Sequence, residues 1–424
     1  MVAARTDKMD APLDNRAGFL PQTANPSRLE RVFTAYVVFI PIFVYYKSPV
    51  PGLNLATFLA LCFLGWFLLA RPKPTKPRQR LLFPVWLYLG FLTFNVVSTS
   101  YLYNYPILDP HLLEYVRALL LVLSILVLGA RFFDFPLAMS ILEKLLLASI
   151  LWMLVQLVFA HVLGHPITGN IPALVTNEGY RIARERPTGF YMEPSEFAKN
   201  AIMYLCFTLF GTKSLPRRET RKVLAIVGGI ALSGSGMGYA FLALGFVVWI
   251  LYNVFFTAMT SGKLVGGMAL IVLLLAGSWA FLQTSMGQYA FSRIVSEDGD
   301  GRLGYWGGQA LSGRTYTNEM FNDLSDVQKF WGVGFGHGSD VLGNYYRNSW
   351  TSHLVACGYL SIPVWLVIVS SVFLRGDMRF KVFAVIFALL YCISASATVT
   401  GFSYFFSFLL SGCTLPPPHR ETER

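Results

Sequence analysis

The sequence predicts an all-α fold: a polytopic integral membrane protein of about twelve transmembrane helices. Three observations predict it. Hydrophobic residues make up 54% of the 424-residue chain. Charged residues make up only 13%, where a soluble domain carries about 25%. Long apolar runs recur from end to end, and the mean hydropathy is +0.52. The formal net charge of +11 sits in loops between those runs, so it reports topology and excludes a nucleic-acid partner.

A hydrocarbon core of about 30 Å requires about 20 apolar residues per helix. By that measure spans fall near 32–46, 53–70, 81–102, 112–130, 141–163, 195–212, 222–233, 236–258, 264–284, 348–374, 381–396 and 399–413. Small residues in "LSGSGMG" (232–238) and "SASATVTGF" (394–402) let neighbouring helices reverse tightly. The polar first 30 residues exceed the n-region of a signal peptide, and no A-x-A site follows, so the first run is expected to be a retained helix. The chain divides into a tail (1–31), nine spans (32–284) with an outer loop at 164–194, a large loop (285–347), three spans (348–413) and a second tail (414–424).

Orientation follows from charge. "RPKPTKPRQR" (71–80) and "TKSLPRRETRK" (212–222) hold five Lys/Arg each and "RGDMRFK" (375–381) holds three. All lie on one side of a twelve-span arrangement with both termini, which makes that side cytoplasmic. The five cysteines, Cys62, Cys206, Cys357, Cys392 and Cys413, fall in or beside apolar segments. They form no CxxC pair and read as buried small hydrophobes.

The outer loops carry the candidate chemistry. "RERPTGFYMEPSEFAKN" (184–200) concentrates six charges. Pro194 suits the first turn of a helix, whose free N–H groups and positive dipole end attract anions. Arg184 and Arg186 would strengthen a phosphate site there, while Glu193 and Glu196 are capping carboxylates or catalytic ones. Outer basic residues are nearly all arginine: Arg181, Arg184, Arg186, Arg293, Arg302, Arg314 and Arg347. Guanidinium grips phosphate in a bidentate fork.

In the large loop, Tyr316, Met320, Phe321, Leu324, Val327, Phe330 and Trp331 recur at helical spacing and predict a short amphipathic helix. Gly332, Gly334, Gly336 and Gly338 then alternate, which reads either as a structural turn or as close backbone approach to a ligand. "EDGDG" sets Asp298 and Asp300 at D-x-D spacing, but Arg302 takes the next ligand position, so it reads as a solvated turn rather than a metal loop. His161 and His165 are interfacial histidines without a third ligand. Glu114 and Arg117, three apart in the fourth span, are expected to pair on one face.

Taken in order, "RPTGFYMEPSEFA", "LSGSGMG", "SGRT", "WGVGFGHG" and "RNSWTSHLVACGYLSIP" resemble the O-antigen polymerase and O-antigen ligase superfamily of bacterial envelope proteins. The resemblance covers about residues 180 to 370. It implies a glycosyltransferase-C-like helical fold in the bacterial inner membrane. The implied donor is an oligosaccharide on a polyprenyl pyrophosphate, presented at the periplasmic face among membrane lipid. It also implies pyrophosphate-binding arginines, matching Arg186 and Arg314 by motif and Arg184 by neighbourhood. Flippase and chain-length regulator proteins are the implied partners.

Ligases of that superfamily show His-Asn where this chain has Arg347-Asn348, which favours a repeat-unit polymerase and leaves Arg347 as a further pyrophosphate contact. Polymerisation requires stabilised charge on the leaving pyrophosphate, which arginines supply without metal or cofactor, and a base for the attacking hydroxyl. Glu193 stands beside the proposed anion site; His337 and His353 offer imidazoles, which titrate near neutrality. A ligase transferring glycan to lipid A core or protein is the alternative enzyme. A transporter for the lipid-linked repeat is the alternative class, although the two halves show no clear internal repeat.

Overall fold

A computed structural model of the chain describes residues 26–70, 83–106, 112–171, 174–175, 187–210, 217–256, 283, 320–342, 349–375, 378–393 and 407–408. Among them every regular element is helical, as expected, and extended pairing is limited to the bridges Tyr46–Val175 and Lys47–Asn54.

Helix α1 (Arg28–Phe43) opens on a capping box in which Ser27 and Glu30 satisfy each other's backbone N–H. After a short turn comes α2 (Leu55–Ala70), then α3 (Phe83–Leu102). Helix α4 (Leu112–Ser124) runs through a π-helical turn (Ile125–Gly129) into a last piece (Ala130–Phe132), where Arg131 lies 5.1 Å over the Phe67 ring. Helix α5 (Phe135–His161) starts where Asp134 accepts the Leu137 N–H at 2.8 Å. Its 27 residues are long and apolar enough to cross a membrane, a rise of about 40 Å.

Helix α6 (Pro194–Leu209) forms the centre of the bundle. Every residue but Ser195 is buried, and it packs on α5, α7 (Arg217–Leu232), α8 (Gly236–Phe256) and the late helix α13 (Met378–Ile393). Phe207 meets Phe135, Phe380 and Phe383 with ring centroids 5.0 Å apart, and Phe408 joins the cluster. A polar tie crosses the same bundle. Lys222 Nζ lies 2.7 Å from Glu143 and 3.0 Å from Glu219, while the Tyr204 hydroxyl donates to Glu143 at 2.8 Å. On the outside, Leu68, Leu69, Val97, Leu151 and Leu366 stand exposed.

The reversal at 232–238 holds: Gly234 has φ +61°, and a Cβ on Gly238 would come within 2.9 Å of the Ala198 methyl. Three expectations need correction. The tenth span is two helices, α11 (Ser349–Cys357) and α12 (Ser361–Arg375), broken at Gly358 with φ +66°. The amphipathic helix is interrupted as well: Ser325 caps α9 (Asp326–Trp331), separating it from the turn of Met320 and Phe321. Met320, Phe321 and Leu324 pack against Val333 and Val355, whereas Val327 and Phe330 are exposed. Cys62 is exposed on α2, unlike buried Cys206 and Cys357. Span nine apart from Gln283, most of span twelve, Asp298, Asp300, Cys413 and the side chain of Cys392 lie outside the described residues.

Candidate functional site

The first half of the site is the approach to α6. Gln156, a polar residue inside apolar α5, accepts the backbone N–H groups of Thr188 (3.1 Å) and Gly189 (3.0 Å) and donates to Ile167 O (3.2 Å). Gly189 has φ +66°, and a Cβ there would lie 2.8 Å from the Ser149 Cβ. Trp152 stacks on Phe190 at 6.0 Å. From Ser149, α5 runs on to His161, a further rise of about 18 Å. The loop therefore folds back alongside the helix instead of standing beyond its end.

That loop delivers Glu193 as the N-cap residue and Pro194 as the first residue of α6, as the sequence predicts. The Glu193 side chain makes no capping bond; it accepts the Ser195 hydroxyl at 2.9 Å. Glu196 forms a buried ion pair with Lys199 at 2.7 Å. Tyr191 is fully buried edge-on to Phe197, and its hydroxyl has no hydrogen-bond partner among the described residues. Burial, reinforced by the Glu196 charge, raises the Tyr191 pKa well above the usual phenol range, so the group stays protonated. Two of the six charges in the cluster, Glu196 and Lys199, are thus internal scaffolding.

The second half is the glycine loop. Val333 N–H donates to Val355 O (2.8 Å) and Gly334 N–H to Ala356 O (3.0 Å). A Cβ on Gly332 would meet Ala356 O at 2.3 Å, and one on Gly334 would meet the Thr99 hydroxyl at 2.9 Å. These glycines permit close approach to the protein's own backbone. The end of α3 clasps the loop from the other side. Asn95 donates to Trp331 O (2.9 Å) and accepts from Phe335 N–H (3.1 Å), while Tyr103 and Tyr105 donate to Gly332 O and Val333 O, both at 2.9 Å.

The clasp fixes His337. Its ring stacks on Tyr105 with centroids 3.8 Å apart and planes 12° off parallel. Its Nδ1 lies 3.2 Å from Asp340 Oδ2 on α10 (Gly338–Leu342). A carboxylate only accepts, so Nδ1 carries the hydrogen and Nε2 is the nitrogen able to take a proton. The His337 side chain is 14% exposed and Asp340 56%, which leaves the pair within reach of a ligand. His353, on α11, is enclosed between Tyr88 (6.2 Å, stacked) and Trp365 (6.3 Å, edge-on).

The structure therefore joins His337 to Asp340, which the sequence reading missed, and puts Glu193 at the head of α6. Arg184, Arg186, Arg314 and Arg347 lie outside the described residues, as does the side chain of Glu114. Arg117 reaches the Gly52 carbonyl at 3.2 Å. Among the described residues no cluster of three His, Cys, Asp or Glu side chains could hold a metal. Asn95, Tyr103, Tyr105 and Gln156 were also missed, though polar residues inside apolar runs were the available signal. No protein-family model matches this chain, and no curated protein matches it either.

Proposed function

We propose that this protein is a polytopic inner-membrane glycosyltransferase that joins polyprenyl-pyrophosphate-linked oligosaccharide repeats into O-antigen, capsule or exopolysaccharide at the periplasmic face. The twelve-span topology with cytoplasmic termini belongs to the same proposal. Exposed apolar side chains around the bundle, the length of α5 and the one-sided basic loops support it. So does Gln156: irregular backbone alongside a spanning helix persists only where protein groups satisfy it.

The observation that carries the catalytic reading is the His337–Asp340 pair on a loop clamped from two sides. The acceptor hydroxyl attacks the anomeric carbon, its proton passes to His337 Nε2, and the bond from that carbon to the pyrophosphate oxygen breaks. Arg184, Arg186, Arg314 and Arg347 hold the departing polyprenyl pyrophosphate. Asp340 orients the ring and stabilises the imidazolium that forms. His337 suits the base role better than Glu193, engaged by Ser195, or His353, enclosed by aromatic rings.

Purified protein incubated with lipid-linked repeat, with and without chelator, should give a metal-independent ladder of products. His337→Ala should cut the rate by about 10²–10⁴, and Arg186→Ala or Arg314→Ala each by about 10²–10³. Normal chain lengths from both arginine variants would refute the pyrophosphate site. A deletion strain that accumulates unattached polymer would identify a ligase instead.

A further inference from the structure

Between α1 and α5 the bundle leaves a cavity of about 610 Å³, within the size range of ligand sites. Phe39 and Phe43 of α1 face Leu145 and Ala148 of α5, and Phe190 of the folded-back loop completes the wall. Two lining side chains carry a polar group. The Tyr46 hydroxyl already accepts the Ile171 N–H at 3.3 Å. Lys144 is exposed and has no hydrogen-bond or ion-pair partner among the described residues.

A sugar or nucleotide needs several converging donors and acceptors, and this lining offers one ammonium. A hydrocarbon chain needs none. The lining positions of α5, from Ile141 through Lys144 and Leu145 to Ala148, form one stripe along the helix long enough to cross a membrane. A lysine whose stem follows an apolar wall and whose charge reaches the rim suits an anionic headgroup.

We propose that this groove holds the hydrocarbon chain of an anionic membrane phospholipid, with its phosphate against Lys144. The proposal rests on the membrane reading above and is independent of the glycosyl-transfer chemistry. Phe190 stands three residues before Glu193, so an occupied groove braces the loop that leads into α6.

The test uses the full chain, purified from alkali-washed membranes and placed in phosphatidylcholine nanodiscs doped with phosphatidylglycerol. Native mass spectrometry then counts retained lipid. Wild type should keep phosphatidylglycerol over phosphatidylcholine. Lys144→Gln should lower that retention about fivefold, the scale of one lysine at an anionic surface. Ala148→Trp, at an exposed lining position, should abolish it by filling the groove, with an unchanged circular dichroism spectrum as the check on folding. Undiminished phosphatidylglycerol retention in both variants, or equal retention of the two lipids in wild type, would overturn the proposal. Release of the protein by the alkaline wash would overturn the membrane reading itself, a failure distinct from either.

Discussion

The approach to α6 and the glycine loop both bend irregular backbone around a candidate catalytic residue, and both are held by side chains on loop backbone, yet they use their charges differently. At α6 the fixing groups are side chains: Gln156 takes two loop amides, and Glu196 and Lys199 neutralise each other in the interior. At the glycine loop the grip falls on the loop's own peptide groups from two sides, with amides of Val333 and Gly334 on α11 carbonyls and the side chains of Asn95 on α3 and of Tyr103 and Tyr105 just beyond it on loop backbone. In the first region Glu196 and Lys199 spend their charges on each other, so density of charge is a poor guide to chemistry. The second has few charges, but it presents one imidazole with a carboxylate behind it.

The contrast can be broken at its strongest point by Lys199→Met, which strands Glu196 as a buried charge. About 3–5 kcal/mol of stability should be lost, and the Glu196→Leu/Lys199→Met double variant should recover most of it. Denaturation in detergent followed by tryptophan fluorescence would read both. Gly332→Ala attacks the other region, adding a methyl at φ +81° against the Ala356 carbonyl. It should cost about 1–3 kcal/mol in strain and abolish activity with the bundle still folded by circular dichroism. Gln156→Leu leaves two loop amides unsatisfied and should cost about 2–3 kcal/mol. Hydrogen exchange at Thr188 and Gly189 should rise with little change at Val333.

Tyr191→Phe is the smallest change and has the opposite sign. Its hydroxyl has no partner among the described residues, so the variant should be as stable as wild type or slightly more so. Below about pH 10 the phenol is neutral in both folded and unfolded chains and contributes nothing to pH dependence. Above that, only the unfolded chain releases the proton, because the folded pKa is raised. Wild type should then lose about 1.4 kcal/mol more per pH unit than Tyr191→Phe. Identical slopes would place Tyr191 in contact with water.

Hydropathy made the helices legible, and Pro194 marked the start of α6 because its missing N–H fits only a first turn. What escaped were features set by contacts between distant segments. Gly358, left-handed at φ +66° with Pro363 soon after, is itself a helix-stop signal, but the apolar run on both sides masked it; the Phe330 carbonyl, 2.2 Å from where a Cβ would sit, leaves room only for glycine. Ser325 did announce a cap, three residues before Gln328, but the apolar periodicity across it masked the signal. Asp340 was invisible as a partner of His337 until the loop's turn brought them together. The glycine alternation was seen, and only its target, the protein's own backbone, was not.

The break at Gly358 has a mechanical consequence. The amides of Tyr359 and Leu360 donate to the carbonyls of Lys329 (2.9 Å) and Phe330 (3.4 Å) at the end of α9. The gap between α11 and α12 thus serves as a buckle for the end of α9 and the glycine loop that follows it. A tilt of α12 would therefore pull first on the end of α9, and the next residue, Gly332, stands five residues before His337.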